Sequence, residues 1–193
     1  MEMTDTRLSA DEKEMLSLMV GESLDSYSVD EPLVNQVTFM SAWLQVAGST
    51  YEVRNSVEPL AFFGALEDVA VLSVRKSVSD EVHSRLPGHS LINRFIGRTI
   101  QDILVYEDTQ SCAKNGTDIY AYSFTAAIAF ILDGSELVFE KPVWFSEDIK
   151  VLRGPGSSGK IYMPETMLEE SETSECTYRA GREVLHLKEW QQA

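Results

Sequence analysis

The sequence predicts an internally duplicated α+β protein. Each half reads as a short helix followed by about four mostly antiparallel strands, with the two sheets packed through their apolar faces into one pseudo-symmetric body. Three observations lead there: short stretches recur in the same order, helix start and stop signals open both halves, and period-two alternation fills the remainder of each half. Met19-Val20-Gly21-Glu22-Ser23-Leu24 answers Phe95-Ile96-Gly97-Arg98-Thr99-Ile100 at an offset of 76. Phe39 and Ala42 answer Phe124 and Ala127 at 85, and Gly48-Ser49 with Val57 answers Gly134-Ser135 with Val143 at 86. Glu67-Asp68 with Val71-Leu72 answers Glu147-Asp148 with Val151-Leu152 at 80.

The first helix starts at Ser9-Ala10-Asp11-Glu12, where the serine hydroxyl can accept from the first turn while the glutamate reaches back to the cap. Gly21 supplies its left-handed stop. Strands are expected near 23–30, 36–46, 49–56 and 68–76, the second and third joined by Ala47-Gly48. Pro87-Gly88 reads as the turn between the halves, and Ser90 to Ile96, stopped by Gly97, as the second helix. Its strands fall near 98–107, 119–132, 135–141 and 148–153. In the longest of these, Tyr120, Tyr122, Phe124, Ile128, Phe130 and Leu132 share one face by alternation and Ala127, Ala129 and Ile131 make the other apolar, so the strand is expected to be central and buried on both sides. Asp133-Gly134 is a two-residue hairpin signal.

The resulting organisation is a first repeat over 1–86, a second over 87–153, a flexible acidic linker over 154–175 and a terminal hairpin or short helix over 176–193. Composition alone makes the linker. "GPGSSGK" is rich in glycine and serine, and Pro164 to Glu175 carries five glutamates and no base. The tail beyond would turn at Ala180-Gly181, and the body before Lys160 is expected to fold without it.

Sixteen Lys and Arg against 31 Asp and Glu leave a formal charge of −15, a field that repels phosphate backbones and argues against direct nucleic-acid binding. No window reaches the ~18 apolar residues of a membrane span, and "MEMTDTRLSADEKEM" has neither the basic region nor the apolar run of a signal peptide. A soluble cytoplasmic protein is the expectation. Cys112 and Cys176 stand 64 residues apart, which is no metal or redox spacing, and read as free thiols.

Motifs with chemical meaning dissolve on inspection. Gly154 to Lys160 fits the G-x-x-x-x-G-K phosphate loop, but Ile161 stands where a hydroxyl should hold magnesium and Pro164 spoils the helix that should come next. His83, His89 and His186 lack a ligand spacing, so no metal or cofactor is expected. Asp133, Glu136, Glu140, Glu147 and Asp148 are dense enough for an acid–base pair, yet Glu136 and Glu140, followed by Lys141, read as a solvated sheet face. No catalytic residue is assigned.

"KPVWFSED" differs from these. Adjacent Trp144 and Phe145 cannot both hide in a simple turn, so either the loop folds back over the sheet or it presents an aromatic anchor to a partner. On the second reading they and the neighbouring Glu147 and Asp148 are the candidate partner-binding residues. Asp68 and Asp148 are expected at matching places, their carboxylates capping backbone N–H groups. The function expected is non-catalytic binding of another protein with a basic surface, as an inhibitor, immunity or adaptor protein does, its sharpest form being imitation of nucleic-acid charge. The alternatives are small-molecule binding in the cleft between the repeats and a hydrolase using the clustered carboxylates.

Overall fold

The computed structural model describes residues 2–31, 33–78, 82–167 and 176–190. Among them eleven strands form one mostly antiparallel sheet, so the α+β arrangement of two sheets with a helix leading each half does not stand. The strands are β1 (Glu2–Thr6), β2 (Ser23–Glu31), β3 (Val37–Phe39), β4 (Ser41–Val46), β5 (Ser49–Phe62), β6 (Ala65–Lys76), β7 (Ser90–Lys114), β8 (Thr117–Leu132), β9 (Ser135–Glu140), β10 (Asp148–Arg153) and β11 (Cys176–His186). Their order is β3-β10-β9-β8-β7-β2-β4-β5-β6, with β1 running parallel to β8 and β11 antiparallel to β7. Two four-stranded meanders, β2-β4-β5-β6 and β7-β8-β9-β10, therefore succeed each other along the sheet.

Among the described residues helix is confined to α1 (Ala10–Ser17), α2 (Leu187–Trp190) and two short 3-10 turns. The capping box forms: the Glu12 N–H donates to Ser9 Oγ at 3.3 Å and the Ser9 N–H to Glu12 Oε2 at 2.8 Å. No helix leads the second half. Ser90 to Ile96 opens β7 and pairs with β2. Gly97 is left-handed (φ 60°) as a helix stop would be, but it lies in a bulge: Ile96 and Gly97 together face the single residue Asp25. A positive-φ glycine after an apolar residue suits either role, and the long-range pairing decides between them.

β7 is the crease of the molecule. Its first half pairs with β2 and its second half with β8 and β11, so the sheet folds over itself. The far edge is stitched back: β10 pairs with β3, the Met40 N–H donates to the Glu147 carbonyl, and Asn55 Nδ2 donates to the carbonyls of Ser146 and Asp148. Inside the fold lies an aliphatic core to which both meanders contribute, among them Leu24, Leu44, Val53, Ile103, Ile128, Phe130 and Phe139, closed by Leu16 of α1 and Leu187 of α2.

β8 is buried on both sides as expected, but its faces are not those of strict alternation. Opposite Tyr106 and Glu107 of β7 stand Ala127 and Thr125, leaving Ala126 as an extra residue. This bulge reverses the parity. Ile128, Phe130 and Leu132 face the inner core, whereas Tyr120, Tyr122 and Phe124 join Ala127 and Ala129 in a second, outer core. The tip of the β5–β6 hairpin covers that outer core through Phe62 and Val69, together with Trp144 and Ile161.

Of the stretch read as a linker, residues 154–167 lie against the sheet. The Ser158 N–H donates to Glu136 Oε2 and the Tyr162 N–H to Glu140 Oε1, each at 2.6 Å, while Gln110 Nε2 and Arg182 Nη2 donate to the carbonyls of Pro164 and Tyr162. Residues 168–175 lie outside the described residues. β11 is one strand of eleven residues, with Ala180 and Gly181 mid-ladder opposite Gln110 and Thr109 in place of a hairpin turn. Among the described residues no helix is long and apolar enough to cross a membrane.

Candidate functional site

The loop between β9 and β10 links the outer core to the seam where β10 meets β3, and it carries all four candidate residues. Trp144 is buried, packed on Phe62, Tyr122 and Phe124 with ring centroids 4.7–5.4 Å apart. Phe145 points outward, 53 % exposed, with its ring edge-to-face against Phe62 at 5.5 Å between centroids; Val143 is 46 % exposed. Glu147 is half-buried and engages the rest of the protein through its carbonyl. Asp148 opens β10 and lines a cavity of about 420 Å³ with Asp30, Thr38, Phe39 and His89. The structure thus keeps Trp144 and Phe145 together at the aromatic cluster and sends Asp148 to the seam.

Asp68 and Asp148 do not play matching capping roles. Asp68 is an exposed residue within β6, opposite Pro59. Asp148 donates its own N–H to Ser146 Oγ, and among the described residues nothing donates to its carboxylate. The acid that does cap at the seam is Asp30, which accepts from the Phe39 N–H, Thr38 Oγ1 and Ser84 Oγ.

The reading of Glu136, Glu140 and Lys141 as a solvated face is overturned, because residues 154–167 cover that face. Glu140 and Lys141 are each 1 % exposed. Glu136 and Glu140 are each held by a backbone amide of the covering segment, and in the glycine-rich loop that resembles a phosphate cradle the Ser158 amide is already taken by the Glu136 carboxylate. Lys141 lies under Trp144. Its Nζ donates to the Ala70 carbonyl at 2.9 Å and stands 4.5 Å from the ring centre of Phe124 and 4.8 Å from that of Trp144. Burial pushes its pKa down to about 7, against the pull of Asp108. Sequence reasoning missed this lysine because the strand ends at Pro142, where exposure is the ordinary expectation.

A second cavity, of about 470 Å³, lies between the Phe63-Gly64 turn of the first meander and strands β7, β8 and β11. It is lined by Phe63, Ile119, Tyr120, Tyr178, Glu2 and both cysteines. A carboxylate–histidine pair, Asp102 with His186 Nδ1 at 2.8 Å, also went unread in the sequence. The other Asp102 oxygen accepts from the N–H groups of Ile103 and Lys188, which makes the pair a fastening for α2. His83 faces Trp43 and His89 lines the seam cavity.

No protein-family model, no curated protein and no solved structure matches this chain.

Proposed function

We propose that the protein binds another protein without catalysis, using Phe145 and Val143 as an apolar anchor set in an acidic surround. What supports this reading is that Phe145 is held out rigidly. Around it the Ala70 N–H donates to the Trp144 carbonyl, Asn55 Nδ2 to those of Ser146 and Asp148, and the Met40 N–H to that of Glu147. A large apolar side chain fixed in this way loses little conformational freedom on binding, which is what makes an aromatic anchor effective. Glu58, Glu67 and Asp68 are exposed on the neighbouring hairpin, and the net charge of −15 favours a partner with a basic rim. A cytoplasmic location, and imitation of nucleic-acid charge as the sharpest form, belong to the same proposal.

The test is retention of partners on immobilised protein, followed by mass spectrometry, for wild type and Phe145→Ala side by side. A partner held by wild type, weakened by salt and lost with Phe145→Ala supports the reading. Equal retention by both removes Phe145 from it. The second reading, small-molecule binding between the meanders, is favoured by the 470 Å³ aromatic-lined cavity and is tested by native mass spectrometry for a retained ligand.

A further inference from the structure

We propose that Cys112 and Cys176, 64 residues apart in sequence, form a paired oxidation site that closes to a disulfide under peroxide and locks the start of β11 onto β7. The register of the two strands brings them together. Tyr178 stands opposite Cys112 and Cys176 opposite Lys114, so the cysteines are diagonal neighbours whose side chains leave the same face of the sheet. Both line the same 470 Å³ cavity, and Cys176 is near enough to help raise the Cys112 pKa. Cys112 is buried while Cys176 is half-exposed. The bulge of the β7–β8 pairing at Cys112 and Ala113 loosens the backbone where the last adjustment toward disulfide geometry is needed.

The chemistry divides the roles. Burial raises the Cys112 pKa and keeps that thiol away from solvent, so the half-exposed Cys176 is the one that meets oxidant and Cys112 resolves it. The Cys176 thiolate sulfur attacks one oxygen of hydrogen peroxide, the O–O bond breaks, and hydroxide leaves as water after taking a proton, giving a sulfenic acid. The Cys112 sulfur then attacks that sulfenic sulfur, its proton goes to the departing hydroxyl, the S–O bond breaks, and a second water leaves. Two thiols and one peroxide become one disulfide and two waters; sulfur is oxidised and peroxide reduced.

The experiment treats the full-length protein with hydrogen peroxide and tracks intact mass, free thiols and peptide maps. The expected result is a monomer lighter by about 2 Da with no free thiol and a Cys112–Cys176 peptide pair. Closing so long a loop should raise Tm by on the order of 10 °C, reversed by dithiothreitol. With Cys112→Ser the reaction should stop at the sulfenic acid on Cys176, trapped by dimedone. Wild-type monomer that keeps both thiols, oxidises to sulfinic acid, or forms only intermolecular disulfides overturns the proposal, and because the primary readout uses wild type, misfolding of the variant does not shelter it.

Discussion

The two cores of this protein are built on opposite principles. The inner one is dry and almost wholly aliphatic, with Leu24, Leu44, Ile103, Ile128 and Phe130 at no more than trace exposure. The outer one is aromatic and encloses polar groups: Lys141 under Trp144, and beside it a layer holding Asp108, Gln110 and Glu140, each nearly or wholly buried. An aliphatic core is secured by area removed from water, at about 25 cal/mol per Å². A core containing an amine and carboxylates is secured only if every partner is in place. Distant segments supply those partners, namely the β5–β6 tip, the 142–147 loop, residues 154–167 and Arg182 of β11, which grips Asp108 at 2.6 and 2.8 Å.

The largest expected effect comes from that dependence. Ending the chain at Lys160 removes Ile161 and Tyr162 from the cover, Arg182 from Asp108 and the whole eleven-residue β11 ladder, besides Leu187 from the inner core. Asp108 would lose both its cation and much of what buries it, so the cost falls mainly on the lost ladder and core contacts. Thermal unfolding of the truncated chain should lose its single cooperative transition; a sharp transition near the full-length Tm would show that the tail is an appendage.

Next in size are paired truncations of one aromatic in each core. Phe130→Ala leaves a cavity that nothing can solvate and should cost about 3–5 kcal/mol in denaturant unfolding. Trp144→Ala removes more surface but lets water reach Lys141, which relieves part of that amine's desolvation. Its cost should therefore be smaller than that of Phe130→Ala. Equal or greater loss at Trp144 would mean that Lys141 gains nothing from solvation.

How much of this could be read in advance divides along the same line. Each of the eight strands expected from alternation overlaps a strand of the structure, because the inner core obeys a local rule: every second residue apolar, bounded by Gly and Pro. What failed needed a long-range partner. Ser90 to Ile96 has ambiguous local preference and becomes strand because β2 lies beside it. The parity of Tyr122 and Phe124 depends on an extra residue at Ala126 that only the β7 register reveals. Glu136 and Glu140 look solvated until residues 154–167, acidic and glycine-rich by composition, are seen offering amides to them. The candidate loop was legible in part: two adjacent aromatics could not both hide in a simple turn, and Trp144 is in fact buried while Phe145 is exposed, but nothing local placed Lys141 beneath them.

A pH titration sharpens the contrast further. The folded pKa of Lys141, about 7, lies below the ordinary 10.5, so between these values the unfolded chain binds the extra proton and stability should rise with pH. The slope from this group is at most about 1.4 kcal/mol per pH unit. The slope is read as the difference between wild type and Lys141→Met and measured to about pH 9.5, because burial also raises the pKa values of Cys112 and Tyr122, whose unfolded counterparts ionise within or just above this range and pull stability the other way in both proteins. Lys141→Met should flatten the rise and stabilise the protein at neutral pH. Wild-type and Lys141→Met profiles that run parallel from about pH 7.5 to about pH 9.5 would mean that the Phe124 and Trp144 rings keep the ammonium charged.

The smallest expected effect is at the seam where the two cores meet, and it separates the two aspartates there. Asp30 accepts three hydrogen bonds, two of which fix the entry to β3 at Thr38 and Phe39, in a stretch where Asn35, Gln36 and Met40 all hold positive φ. Left-handed non-glycine residues cost about 1–3 kcal/mol each and persist only where the surroundings over-determine them. Asp30→Ala should therefore remove at least one buried bond, about 1–3 kcal/mol, and loosen the β3–β10 stitch. Asp148 has no donor on its carboxylate among the described residues, and its backbone pairing survives truncation, so Asp148→Ala should change stability by less than about 0.5 kcal/mol. Urea unfolding of the two variants decides it. A loss at Asp148 matching that at Asp30 would restore a capping role to the residue, whereas an unchanged Asp148→Ala that nonetheless loses a partner retained by wild type would extend the binding surface from Phe145 across the seam.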